Sequence, residues 1–455
     1  MIRALPRFAY LLVVVAALAL MLRLNWPGHL SVDSVLGLRE GRLGVRETWN
    51  PAIYGWLLGL ADRITPGAGL IVVLNGLLLF GAWGGLAALR PRVAWIAPLV
   101  AAGLLALPQA MIYPAIVWKD VLFATASIAG FVILALAARN RFERPWTALA
   151  VSALLFAAAG LFRQNGLVLA VFAGLSIAVV AWGGGRGRAL GLGGSWLAGV
   201  AALTFVLSIV AQPTGIGPPD TAGGRGLRIL QTYDLVGAAA LDAGREMPDL
   251  DRARPTLDDV IRAQAPSIYT PVRADPIVGD KALGQEIKQV SRADIGAEWV
   301  RLVTTDPGLY LRLRADAFRW VFATPDIDRC LPVHLGVDGP DFALKDLQMS
   351  RRLDRDDGRL YNYVTWFLDT PAMSHVAFAG ITFAVGVLLL IRREPVDLVI
   401  AGLMAGALAF AATFFLISLA CDYRYLYLLD IAGITGALYF ALDPRLRRRG
   451  PTPTL

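Results

Sequence analysis

The chain reads as an all-α polytopic membrane protein of about ten transmembrane helices, with a mainly helical extracytoplasmic domain. Three observations predict this. Of its 455 residues, 56% are hydrophobic and only 17% are charged, where a soluble domain carries about a quarter charged residues. The apolar residues fall in long runs of bilayer-spanning length, about 17 to 25 residues. Arginines recur at every second junction between those runs, as cytoplasmic loops require. The net charge of +8 therefore reads as an orientation signal, and nucleic-acid binding is not expected.

The spans are placed at 7–24, 68–89, 93–112, 115–138, 146–162, 166–183, 190–211, 374–391, 396–419 and 425–442. The first is followed by no small-residue cleavage site and by many further spans, so it reads as a span and not a signal peptide. Arg3 and Arg7 precede it. Arg90 and Arg92 follow the second span, Arg139, Arg141 and Arg144 the fourth, Arg186 and Arg188 the sixth, Arg392 and Arg393 the eighth, and the run Arg445 to Arg449 the tenth. Both termini are then cytoplasmic. The expected location is a bacterial inner (plasma) membrane, with the intervening junctions facing the periplasm.

Three regions follow: an N-terminal bundle at 1–211 with a charged first outer loop at 25–51, a polar extracytoplasmic domain at 212–373, and a C-terminal part at 374–455 that ends in a basic tail. Within the polar segment, Thr256 is the expected N-cap of one helix. Asp306 caps another, with Pro307 in its first position. The face Leu309, Leu313, Ala317 and Trp320 fits either a helix on the membrane surface or an ordinary core helix. Cys330 and Cys421 both fall on the oxidising side. They are either a disulfide or two buried thiols.

Charged groups beside spans are costly and mark sites. Asp33, Lys119-Asp120, Arg163 and Asp422-Arg424 are far apart in sequence, yet the alternation puts all of them at the outer mouth. Arginine binds phosphate through a bidentate fork and lysine as a point charge. A nearby carboxylate could serve as a general base. The set suits group transfer from a phosphate-linked lipid. Asp33 could instead cap a short helix, and Lys119 could snorkel beside Trp118. Arg163-Gln164-Asn165 is more polar than a tight turn needs. Glu40 and Glu47 rival Asp33 but sit among arginines. His29 and Asp33 are four apart and would share a helical face; they could be part of a divalent metal site, although two ligands do not make one.

Four stretches resemble the GT-C superfamily of integral-membrane glycosyltransferases, which includes protein mannosyltransferases and lipid A aminoarabinose transferases. "VDSVLGLREGRLG" is similar to the family's first-loop acid followed by a glycine. "WNPAIYGWLLGL" resembles its His-Pro-Pro-x-Tyr segment, with Asn50 in place of the His and Ala52 in place of the second Pro. "YPAIVWKDVLFA" looks like the second acidic position, and "CDYRYLYLLD" is similar to an Arg-Tyr pair opening a late span. The resemblance implies a sugar donor on polyprenyl phosphate and a glycan, lipid or protein acceptor outside. It implies catalytic roles for Asp33 and Asp120, donor-phosphate contacts from Lys119, Arg163 and Arg424, and acceptor or substrate contacts from Asn50, Tyr54, Gln164, Asn165 and Tyr425. The alternatives are a flippase for a lipid-linked sugar, or a polysaccharide polymerase or ligase.

Overall fold

The computed structural model describes residues 4–48, 50–140, 142, 145–213 and 222–446. Among them the chain is helical, with only isolated β-bridges outside the helices. Arg3, Arg141, Arg144 and Arg447 to Arg449 lie outside the described residues. The described chain divides into two compact units. The first is built from 1–218, 333–410 and 426–455, the second from 219–332 and 411–425. The polar segment expected as one block at 212–373 thus contributes 333–373 to the first unit.

The first unit opens with α1 (Leu5–Asn25), α2 (Val32–Leu43), α3 (Ala52–Ile64), α4 (Gly69–Leu86), α5 (Ile96–Leu105) and α6 (Pro108–Met111). It continues with α7 (Lys119–Ala138), α8 (Trp146–Phe162), α9 (Leu167–Ala181) and α10 (Arg186–Val210). Among the described residues, eight helices are long and apolar enough to cross a membrane. Of the two remaining expected spans, Trp146–Phe162 is a shorter apolar helix. The other, at 93–112, is broken, bending by 75° between Ile96–Leu105 and Pro108–Ala115. Pro108 explains the break. It has no N–H to donate, and it drives the residue before it out of the helical region; Leu107 is extended, with ψ 152°. The fourth span starts at Lys119 instead of 115, because Ile116 to Trp118 run extended.

The first loop is not an irregular connector. It holds α2 and α3, packed at backbone contact: a Cβ on Gly41 would stand 2.0 Å from the Gly55 carbonyl oxygen and 2.9 Å from the Gly59 Cα. At 13 residues, α3 is too short to cross a bilayer. Helix α7 is buried on nearly every face and packs against α4 and α8.

The second unit contains α11 (Ala222–Leu241), α12 (Pro248–Ala253), α13 (Leu257–Ile268), α14 (Asp275–Gly279), α15 (Lys281–Gln289), α16 (Arg292–Thr305) and α17 (Pro307–Ala323). Asp306 caps α17 by accepting from the Leu309 N–H. Thr256 stands at the N-cap of α13, but its backbone is left-handed and its side chain makes no cap bond. Leu309, Leu313 and Ala317 are buried, so α17 is a core helix. Arg314, fully buried on α17, pairs with Asp234 at 2.6 Å and donates to the Phe415 and Ser418 carbonyls. Cys330 and Cys421 form a disulfide with Cα atoms 4.9 Å apart.

The first unit then adds α18 (Asp341–Asp346), α19 (Arg355–Thr365), α20 (His375–Arg392), most of α21 (Pro395–Ile417) and α22 (Tyr427–Leu442). The arginines of alternate junctions meet at one end of it. Arg7 donates to the Arg90 carbonyl, Arg139 to that of Ala88, and Arg392 to that of Asp443. Arg90 and Arg392 share the buried carboxylate of Asp397, which also accepts from the Tyr439 hydroxyl.

Candidate active site

Two short backbone pairings build the platform for the site. The His29 N–H donates to the Ala115 carbonyl at 2.9 Å, and the Val117 N–H to that of His29 at 3.0 Å. On the other side, Leu30 exchanges bonds with Gly336 and Asp338 at 2.8 and 2.9 Å. Gly336 has φ +77°, and a Cβ there would stand 2.1 Å from the Arg352 carbonyl oxygen, so only glycine fits.

Helix α2 starts directly from this platform. Ser31 is its N-cap, in a reciprocal capping box with Ser34. The Ser34 hydroxyl donates to the Val117 carbonyl at 2.5 Å, the Tyr54 hydroxyl donates to the same carbonyl at 2.7 Å, and the Trp118 indole donates to the Ser31 hydroxyl at 2.8 Å. The Val117-Trp118 step is therefore fastened to the start of α2. The next residues after it are Lys119 and Asp120, and the second residue of α2 is Asp33. The starts of α2 and α7, with Asp33 and Asp120 in their first turns, are thus fastened together.

Asn50 links them. Buried at 1% exposure, it donates to the Asp33 carbonyl at 3.2 Å and accepts from the Lys119 ammonium at 3.1 Å. Asp120 is in the first turn of α7, where the helix dipole favours a carboxylate. It is buried and ion-paired with Arg163 from the α8–α9 turn. A guanidinium is the partner a buried carboxylate needs. The Arg163 guanidinium also lies over the Phe410 ring, 5.9 Å from its centroid. In the same turn Gln164 is exposed and Asn165 half-buried.

The remaining candidates are placed as follows. Asp33 is half-buried, and Tyr54 is buried, its hydroxyl on the Val117 carbonyl. Trp118 is fully buried, so it is no interfacial anchor beside Lys119. Glu40 is buried and accepts from the Glu47 and Thr48 amides. Glu47 pairs with Arg39. Both rivals of Asp33 are thus engaged locally, Glu40 by backbone amides and not by arginine. In the second unit Arg424 pairs with Asp422 at 3.0 Å and lies over the Tyr425 ring, 5.7 Å from its centroid.

His29 precedes α2, so it and Asp33 do not share a helical face as their spacing suggested. Its Nδ1 accepts from the Gly336 N–H at 3.0 Å, which leaves Nε2 to donate to the Asn25 side chain at 3.0 Å. Burial, with Arg352 and His334 nearby, pushes its pKa down to about 3, against a smaller opposing effect of Asp354. Asp357, 3.5 Å from Nδ1, finds no proton there to accept. Among the described residues, no group of three or more His, Cys, Asp or Glu is placed to hold a metal ion.

Sequence reasoning missed Ser31, Ser34 and Gly336, which fix the start of the helix that carries Asp33. The available signals were the Pro-Gly before His29 and the Ser-x-x-Ser spacing.

No protein-family model matches the chain, and no curated protein does. Among solved structures, an archaeal oligosaccharyltransferase, AglB from Archaeoglobus fulgidus in complex with an inhibitory peptide and a dolichol-phosphate, matches with 15% identity and a TM-score of 0.39. The match covers 95% of this chain and 50% of that one, so the chain spans about half the length of that protein.

Proposed function

We propose that the protein is a membrane glycosyltransferase that moves a sugar from a polyprenyl-phosphate donor to an acceptor hydroxyl outside the cytoplasm, with inversion. One observation carries this reading: Asp33, Asn50, Lys119, Asp120 and Arg163 gather at one end of the first unit, linked by the Asn50 bridge and a buried ion pair. Asp33 takes the proton of the acceptor hydroxyl as its oxygen attacks the anomeric carbon. The bond from that carbon to the phosphate oxygen breaks, and the electron pair leaves with the lipid phosphate. Lys119 and Arg163 stabilise that charge as it develops, the step at which preorganised cations contribute most. Asp120 holds Arg163 in place, and Asn50 holds Lys119. Tyr54 acts through the Val117 turn, and Gln164 and Asn165, in the same turn as Arg163, are assigned to substrate contact. Arg424 belongs to the second unit and is tested on its own for donor-phosphate binding. Arg424→Lys keeps the charge but loses the fork, so donor affinity should fall; wild-type affinity would end that assignment.

A flippase has one feature in its favour, the broken span, since discontinuous helices mark transporter sites. The stretch Pro108–Ala115 carries no charged residue, and the Gln109 side-chain amide donates to the Ala372 carbonyl. Transfer chemistry is the better fit. The test is purified protein with a polyprenyl-phosphate sugar and mixed envelope-glycan, lipid and peptide acceptors, followed by mass spectrometry. Sugar on an acceptor, and its loss in Asp33→Asn, supports the reading. Donor movement across a vesicle membrane with no transfer overturns it.

A further inference from the structure

A groove of about 800 Å³ opens on the first unit between α1 and α5, beneath α19. Its walls are apolar: Val13, Ala17 and Leu20 of α1 face Ala102 and Leu105 of α5. Both helices belong to spans, so the medium that reaches these walls is lipid. The charged groups lie only at the rim, where Arg23 closes α1 and Asp356 and Arg359 stand on α19.

Helix α19 is built to lie at a membrane interface. Leu360 and Val364 are buried, while Arg355 and Arg359 are exposed, as are Leu353 and Trp366 just beyond its ends. Exposed Trp and Leu beside arginine is the pattern of an interfacial helix. The Tyr363 hydroxyl donates to the Ala106 carbonyl at the end of α5, which fixes α19 over the groove. Arg359 pairs with Asp356 at 2.7 Å. Arg23 forms no ion pair with any described residue, so the rim carries one uncompensated positive charge.

We propose that this groove binds an anionic phospholipid of the surrounding bilayer, its chains along α1 and α5 and its phosphate on Arg23. The rim decides the class. A phosphodiester carries one negative charge, which Arg23 balances. A phosphomonoester carries about 1.5 to 2 at neutral pH and would meet the Asp356 carboxylate with charge left over. The groove is also separate from the transfer machinery, since Asp33, Asn50 and Asp120 do not line it.

The test is native mass spectrometry of the full-length protein released from vesicles of phosphatidylcholine and phosphatidylglycerol. Wild type should retain phosphatidylglycerol in preference. Arg23→Ala should lower that retention roughly fivefold, the effect of about one interfacial cation. Ala102→Trp fills the groove, keeps Arg23, and should lower retention as well. Helicity and monodisperse elution check that each variant folds; either variant alone suffices if the other does not. Unchanged retention in a folded variant overturns the proposal. So does displacement of the bound phosphatidylglycerol by equimolar polyprenyl monophosphate, which would make the groove a carrier-lipid site.

Discussion

Asp33 and Asp120 are both carboxylates in the first turn of a helix, but their surroundings differ: Asp33 is half-buried, while Asp120 is buried against Arg163. Under the proposed transfer, Asp33 is the base and Asp120 positions Arg163. Asp33→Asn should therefore leave folding intact and lower transfer about 10²–10⁴-fold, the usual worth of a general base. Asp120→Asn instead strands a nearly buried guanidinium, and losing one partner of such a pair costs about 3–5 kcal/mol. It should show first as a lower melting temperature. The reverse pattern, a cold-stable but dead Asp120→Asn and an active Asp33→Asn, would move the base to Asp120. His29 gives a pH prediction. Its folded pKa is depressed to about 3 against about 6.5 unfolded, so between those values the unfolded chain binds more protons. Stability is full above pH ~6.5 and falls as pH drops through the window, by at most ~1.4 kcal/mol per unit. Arg352, His334, Asp354 and Asp357 stand around the ring and will share the titration. His29→Gln keeps a hydrogen-bonding side chain without the titration, so its unfolding free energy should flatten between pH 4 and 6; an unchanged slope would assign the acid sensitivity elsewhere.

At the scale of elements, the pair α2–α3 carries Asp33 and brackets Asn50, and glycine lets it close. Alanine at Gly41 would drive its Cβ into the backbone of Gly55 and Gly59, atoms that cannot turn aside as a side-chain tip can. Overpacking of this kind costs about 1–3 kcal/mol. Gly41→Ala should lower stability by that amount and reduce transfer, since α2 carries Asp33; thermal unfolding and the transfer assay read the two effects. In the second unit, the Cys330–Cys421 disulfide closes a sequence separation of 91 residues. Reduction should destabilise that unit by about 2–4 kcal/mol, seen as earlier proteolysis at 219–332. Much of this was legible in the sequence. Apolar run length located the spans, and Pro108 carried the information for the break. What could not be read is the platform beneath Asp33. His29 pairs with Ile116 and Leu30 with Val337, one residue pair at a time and across long separations, so no alternating pattern ever forms. The side-chain links Asn50–Lys119 and Asp120–Arg163 were equally hidden. Only the types of residue, and their common side, pointed to them.

At the scale of the molecule, the chain sorts its charges to two ends of the first unit by different rules. One end joins Arg7, Arg90, Arg139 and Arg392 through carbonyls and the shared Asp397. Here the arginines are structural, because Asp397 is fully buried and its charge is held by two guanidinium partners. The other group, at the start of α7 and the α8–α9 turn, is the candidate site. The positive-inside rule assigns the arginine end to the cytoplasm, and a donor in the outer leaflet requires the site to face away from it. Helix α9 separates two convenient positions. Exposed Gln164 sits before it beside Arg163, and Gly184 follows it next to Arg186 and Arg188. The native cysteines are both in the disulfide, so a single introduced thiol reports alone. A membrane-impermeant maleimide should label Gln164→Cys in intact cells with an opened outer membrane. Gly184→Cys should label only after the inner membrane is breached. Labelling of Gly184→Cys in intact cells, with Gln164→Cys protected, would turn the site to the cytoplasm, and a transfer drawing on an outer-leaflet polyprenyl donor would then be ruled out.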